Sequence, residues 1–305
     1  MTPLPLILNR DARGAHPRAI ARVERAFAAA GVAIDLQPVT AAEVEPAVTR
    51  AAASGMVAVG GGDGTLSGAA EALMGTGVPL LPVPLGTLNH FARRLGIDSP
   101  AAAARALTEG QVMRVPVGSV NGRPFINNVS IGIYPRFVRT RERLRPQIGR
   151  RLAIAAAALH SLWQLRQVTI GVEACGTQRE RSIAGMWIGL GRGSFRLPGD
   201  AAPIAARNLE LVIAPGHSRL RLVADAMRAV AALGRGEPPH RAGLEMLHAP
   251  VVTLTSPRPL DLARDGEAER VTPPVSLTML EGGLEVMSLE PLQPPDPPAH
   301  GQHQP

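Results

Sequence analysis

The chain contains no lysine; its 32 basic residues are all arginine. Against 25 acidic residues they leave a formal net charge of +7 and a pI near 11.2. That balance suits an anionic nucleotide, an anionic membrane surface or nucleic acid. Heavy use of Ala, Arg and Pro beside the missing Lys reads equally as compositional bias, so charge alone names no partner. Aromatic residues are scarce at 3%. That is too few for base-stacking platforms and argues against nucleic acid as a partner. The only cysteine, Cys175, excludes an intramolecular disulfide framework and fits a reducing cytoplasm. No stretch reaches the roughly 20 apolar residues of a spanning helix. Met1–Asn9 is a short strand-like run without the basic leader of a secretory signal.

What is present is a glycine-rich turn of unusual content. Residues 57–65 read Val-Ala-Val-Gly-Gly-Gly-Asp-Gly-Thr and run into the helix-compatible Leu66–Met74. Three successive residues without Cβ let the backbone approach a bulky anion and aim its N–H groups at it. The helix start adds unpaired donors and a positive dipole end. Asp63 repels phosphate, and a divalent cation between carboxylate and phosphates resolves that conflict. The implied chemistry is magnesium-dependent handling of a nucleoside triphosphate. The run is not a dinucleotide fingerprint, because the third glycine of G-x-G-x-x-G falls on Thr65, and no Lys follows to make a Walker loop. A plain βα turn remains the alternative. After a further strand comes Pro84-Leu85-Gly86-Thr87-Leu88-Asn89-His90-Phe91-Ala92-Arg93, a second turn entering a helix. Two such turns at neighbouring strand ends face each other across a parallel-sheet crevice.

The segments Gly60–Thr65, Pro84–Ala92, Phe125–Gly132 and Asp265-Gly266-Glu267, in this order, resemble the diacylglycerol kinase catalytic-domain family of lipid kinases. That family includes bacterial lipid kinases and sphingosine kinases and is distantly related to NAD kinases. The resemblance implies ATP as cosubstrate with Mg2+, held in a cleft between two domains. It implies nucleotide contacts at Gly60, Gly61, Gly62, Asp63, Gly64 and Thr65, and at Gly86, Thr87, Asn89 and Thr40, with Asp63 as metal ligand. Thr40 reads otherwise as an N-cap for the helix beginning at Ala41, and Asn89 as a cap of its own helix. A carboxylate base against the acceptor hydroxyl is implied at Asp265 or Glu267. Asp265-Gly266 is also an ordinary hairpin turn.

Three departures from the family pattern stand out. His90 and Pro116 occupy positions where the family carries acids, and Ala206-Arg207-Asn208-Leu209 replaces its structural magnesium loop. No structural Mg2+ is expected at that loop, and fewer carboxylates imply weaker magnesium binding. Asn9-Arg10-Asp11 also replaces the usual Asn-Pro start.

The pattern predicts an α/β fold with an N-terminal parallel-sheet nucleotide-binding domain over 1–121 and a β-rich sandwich domain over 122–290. The Pro-rich 291–305 reads as a disordered tail. Strands are expected at 4–8, 33–39, 56–59 and 80–83, with helices at 19–30, 41–53, 66–74, 88–95 and 101–107. Further strands are expected at 125–133, 168–174, 183–190, 209–213, 251–255 and 275–280, interrupted by helices near 150–165 and 218–233. Seven arginines between Arg136 and Arg151 precede the apolar Leu152–Trp163. They read either as a basic approach that docks on anionic headgroups or as solvated charge before a core helix. The expectation is a cytoplasmic lipid kinase, peripheral to the inner membrane face, with homo-oligomerisation left open. The alternatives are a catalytically inactive nucleotide- or lipid-binding protein on the same scaffold and an NAD kinase-like enzyme.

Overall fold

The computed structural model describes residues 2–12, 14–132, 167–191, 207–216 and 244–291, with isolated positions at 140, 143, 144, 149, 156, 160 and 228. The expected helices near 150–165 and 218–233, the arginine-rich docking segment and the tail beyond residue 291 lie outside this set.

The N-terminal half alternates as expected. Strands β1 (Leu4–Asn9), β2 (Ile34–Val39), β3 (Val57–Gly61) and β4 (Leu80–Pro84) pair in parallel in the order β4-β3-β1-β2. Leu6–Leu8 and Val57–Val59 are fully buried, as parallel strands covered on both faces must be. Helices α1 (Pro17–Ala29), α2 (Val44–Ala51), α3 (Asp63–Leu73), α4 (His90–Arg94) and α5 (Pro100–Glu109) connect them. Local chemistry marks their starts. His16 Nδ1 accepts from Ala19 N at 3.2 Å before Pro17, and Ser99 Oγ accepts from Ala102 N at 3.2 Å before Pro100. Because β2 and β3 leave β1 on opposite sides, the strand order reverses at β1. A ligand crevice opens there, outside the carboxyl ends of the strands.

The second half is β-rich, as the sequence implied. It holds β5 (Gln111–Val120), β6 (Arg123–Phe125), β7 (Asn128–Gly132), β8 (Val168–Ala174), β9 (Thr177–Leu190), β10 (Leu209–Pro215), β11 (Glu245–Ala249), β12 (Val251–Thr255), β13 (Leu260–Arg264), β14 (Glu267–Val271) and β15 (Val275–Ser288). These strands are hydrogen-bonded into one sheet with the N-terminal strands. Inward residues such as Val129, Ile170, Ile188, Leu211, Val252 and Leu262 form a core separate from the one around Leu8 and Val59.

Strand β15 connects the two cores. Its first part pairs with β12, and its last part runs antiparallel to β5 with a parallel bridge from Val286 to Leu80. The strand expected to end at Leu280 thus continues to Ser288, through a register shift between Leu280 and Leu284. The expected strand 125–133 divides at Ile126-Asn127, where the backbone turns its N–H groups to a side chain instead of a neighbouring strand. The expected helix 41–53 is a short α2 between two one-turn 3-10 segments.

Candidate active site

The carboxyl ends of β3 and β4 carry the two glycine turns, and their approach explains the glycines. Gly60 and Gly61 close β3 inside the core, Gly62 caps α3 in an extended conformation, and α3 begins at Asp63. A Cβ on Gly61 would overlap the Thr65 side chain. One on Gly86 would lie 2.5 Å from Gly62 Cα and 2.6 Å from Asn89 Oδ1. The turns therefore touch backbone to backbone, and no larger residue fits. Thr65 is held by Asn9, whose Nδ2 donates to Thr65 Oγ1 at 2.8 Å. Asn9 Oδ1 in turn accepts from Asp11 N at 2.9 Å.

Asp63 uses its carboxylate to order the second turn. Oδ1 accepts from Phe91 N at 3.0 Å and from Asn127 Nδ2 at 3.3 Å, while Oδ2 accepts from His90 N at 3.1 Å. An acid at the start of one short helix thus serves as cap for the next. Three N–H donors thus engage the carboxylate that the resemblance casts as a metal ligand. Among the described residues no group of three His, Cys, Asp or Glu could hold a metal ion.

Asp265 is the most tightly held acid. It occupies the left-handed region at φ 47°, and with Gly266 (φ 90°) it forms the two-residue turn of the β13–β14 hairpin, where Arg264 pairs with Glu267. Its Oδ2 accepts from Ser67 Oγ at 2.7 Å and Ile126 N at 2.9 Å; its Oδ1 accepts from Asn127 N at 2.8 Å and Asn128 N at 3.1 Å. Both oxygens are saturated, since a carboxylate offers about four lone-pair sites. Enclosure pushes the Asp265 carboxyl above the usual carboxylate range, and these four bonds oppose the shift. The hairpin-turn reading of Asp265-Gly266 and the acid reading are thus both realised. Glu267 is exposed two residues on, with Oε1 3.2 Å from where a Gly64 Cβ would stand.

Arg94 is enclosed near both acids and donates to Ile126 O at 3.1 Å. Burial pulls its guanidinium down to about 10, against the opposing pull of Asp265 and Asp63. Beyond it, Arg123, Glu71, Arg264 and Glu269 close a four-membered ring of ion pairs at 3.2–3.6 Å. Arg264 is 9% exposed and also donates to Pro124 O at 2.6 Å.

A cleft of about 650 Å³ gathers these parts: Asn9, Asp11, Gly62–Thr65, Ser67, Glu71, Gly86 and Thr87 on one side, Arg123, Arg264, Asp265 and Glu267 on the other. Thr40 and Asn89 stand beside this lining, next to Ala41 and Leu88. Thr40 Oγ1 donates to Glu43 Oε2 at 2.7 Å and Thr40 N donates to the same oxygen at 2.8 Å, the returning half of a capping box. Asn89 folds onto Gly86, its Oδ1 accepting from Gly86 N at 2.8 Å, and stabilises the turn. Sequence reasoning gave no role to Asn9, Ser67, Glu71, Arg94, Arg123, Asn127 and Arg264. Only Ser67 and Glu71 left a signal, lying four and eight residues beyond Asp63 on one helix face.

Residues 3–120 match the model of the diacylglycerol kinase catalytic domain. A "probable lipid kinase YegS-like" protein of Pseudomonas aeruginosa (strain UCBPP-PA14) is 45% identical over 89 residues, 28% of this chain and 30% of that protein. Its counterpart in Pseudomonas putida is 30% identical over 157 residues, 50% and 53% of the two chains. The chain thus spans between about a quarter and about a half of the length of the curated relatives it matches. A diacylglycerol kinase structure from Bacillus anthracis str. Sterne superposes with TM-score 0.67 at 18% identity, covering 94% of this chain and 96% of that one; this shows the fold. Over residues 3–120, then, the chain is similar to the diacylglycerol kinase catalytic domain.

Proposed function

We propose that the protein is an ATP-dependent lipid kinase, which transfers the γ-phosphoryl group of ATP to a hydroxyl of a lipid such as diacylglycerol. The observation that carries this reading is the shared cleft: the glycine turn at Gly62–Thr65 and the exposed carboxylate of Glu267 line one space. The unpaired N–H groups of the first α3 turn, with Thr65 and Thr87, receive the phosphates. Residues 1–121 hold the nucleotide and 122–290 present the acceptor.

Glu267 takes the proton. Asp265 has both oxygens engaged by main-chain and Ser67 donors, whereas Glu267 faces the cleft and is free to approach an alcohol. The acceptor O–H gives its proton to the Glu267 carboxylate as its oxygen bonds to Pγ. The bond from Pγ to the bridging oxygen breaks, and its electron pair leaves with ADP. Mg2+ would enter on the nucleotide's own phosphates and neutralise charge there. Membrane approach is assigned to the segment Arg136–Trp163. Among the described residues, no helix is long and apolar enough to cross a bilayer.

Labelled ATP offered with a panel of lipids and with NAD tests this reading. Transfer to a lipid that is lost in Glu267→Gln supports it; transfer to NAD alone replaces it with the NAD kinase-like alternative. Saturable ATP binding without transfer points to the inactive binding protein, the alternative raised by His90 and Pro116. Sedimentation with anionic liposomes, with Arg143, Arg145, Arg150 and Arg151 changed to Ala, tests the docking role. Unchanged binding removes it.

A further inference from the structure

One edge of α3 is fastened to the second half of the chain at three successive levels. Asp63, Ser67 and Glu71 follow at intervals of four residues and so share a face. Asp63 receives Asn127, Ser67 donates to Asp265, and Glu71 pairs with Arg123 and Arg264. The middle contact has a particular consequence. Of the four donors on Asp265, three are main-chain groups of residues 126–128, which belong to the same half as Asp265 itself. Ser67 Oγ alone comes from the helix that begins at the phosphate-binding turn.

We propose that Ser67 is a positioning residue: by holding Asp265 it sets the distance between the phosphate-binding backbone at Gly62–Thr65 and the Glu267 carboxylate. The inference rests on the kinase reading above and deepens it. Asp265 opens a two-residue turn and Glu267 opens the strand after it, so few torsions separate them. A bond that pins the first therefore limits the second. Ser67 is 6% exposed, so solvent does not compete for this bond. Removing the hydroxyl leaves Asp265 bound to residues 126–128 and cuts only its tie to α3. Misplacement of a reacting group by about 1 Å costs on the order of 10²-fold in rate.

Ser67→Ala is therefore expected to lower kcat by about tenfold to a hundredfold while KM for ATP stays within about twofold, because the phosphate-binding backbone is untouched. Ser67→Thr, which keeps the hydroxyl, is expected to restore most of the rate. Amide hydrogen exchange of the substrate-free protein supplies the second readout: in Ser67→Ala the amides of 126–128 and of the 260–271 hairpin exchange faster than in wild type. Unchanged kcat, or a loss confined to KM for ATP, overturns the proposal, as does equal exchange in both proteins. Wild-type protein that phosphorylates no lipid removes the kinase reading, and the positioning role falls with it. Altered exchange in that case still reports the contact itself, which separates the two failures.

Discussion

Asn9 Nδ2 donates to Thr65 Oγ1 at 2.8 Å, tying the carboxyl end of β1 to the first turn of α3 across the point where the strand order reverses. Asn9 is 6% exposed, so this bond is made away from competing water. Asn9→Ala leaves the Thr65 hydroxyl without its donor. It is expected to reduce stability by about 1 kcal/mol and to weaken ATP binding through a loosened first turn. Urea denaturation beside a nucleotide titration checks both; equal ATP affinity would show that the turn needs no support from β1.

Glycine contact between the two turns makes a stronger prediction. Gly86→Ala places a methyl 2.5 Å from Gly62 Cα and 2.6 Å from Asn89 Oδ1, which is itself tied to Gly86 N. The change is expected to cost about 1–3 kcal/mol and to abolish measurable ATP binding. Gly68→Ala has no atom within 4 Å of the added group and serves as the control, with stability and binding kept. Thermal melts of both variants with and without ATP separate the cases.

The two acids of the hairpin should divide their work. Glu267→Gln is expected to lower phosphoryl transfer by roughly 10²–10⁴-fold with the melting temperature unchanged, as loss of a general base requires. Asp265→Asn puts an amide N–H2 against donors that need acceptors, so its first effect is on folding, by about 1–3 kcal/mol. Kinetics and calorimetry on both proteins test the division. A fully stable Asp265→Asn protein with no transfer would reassign the proton to Asp265.

At the opposite corner, Thr40 and Glu43 predict a pH response unrelated to nucleotide. Hydrogen bonds from the Thr40 backbone and hydroxyl hold the Glu43 carboxyl below its ordinary 4.5. A depressed carboxylate stabilises above the unfolded value, and that contribution is lost as pH falls through the folded one. The start of α2 should fray below about pH 4.5 in wild type. In Glu43→Gln this acid-dependent step is expected to disappear, with ATP affinity unaltered. Amide exchange of residues 41–51 across pH 3–6 reads it; a shift in ATP affinity would return Thr40 to the nucleotide site.

Ion pairs of differing exposure give a last contrast. Arg264 is 9% exposed and shares Glu71 and Glu269 with Arg123, whereas Arg114 is 74% exposed and pairs with Glu285 alone. Arg264→Ala leaves Glu71 and Glu269 with the more exposed Arg123 and frees Pro124 O, and is expected to cost about 2–3 kcal/mol. Arg114→Ala is expected to cost no more than about 1 kcal/mol. Denaturant midpoints decide it, and equal losses would show the ring to be no tighter than a surface pair.

The parts of the site legible in the sequence are those whose cause is local. Val57–Thr65 and Pro84–Ala92 announce themselves because a strand, a glycine turn and a helix start each carry a short-range pattern. Thr40 and Asn89 also make local contacts, to Glu43 and to Gly86, which read along the chain like ligand contacts. Ser67, Asn127, Arg123 and Arg264 were hidden because their partners lie 52 to 198 residues away. Strand register, and no motif, brings them together. Strands β13 and β14 are short and flank a turn, and β5 was missed although it pairs along most of β15. The alternating burial of β15 continues beyond the two glycines at which the sequence pattern seemed to stop.

Strand β15 also imposes an order on synthesis. Leu80, Met113 and Val115 in the first half of the chain find their neighbours in Leu284–Met287, made by the ribosome some 170 residues after Met113. Until those residues emerge, the nascent N-terminal sheet ends on an unclosed edge at β4. A polypeptide released at residue 121 would expose that edge and a half-formed core to aggregation.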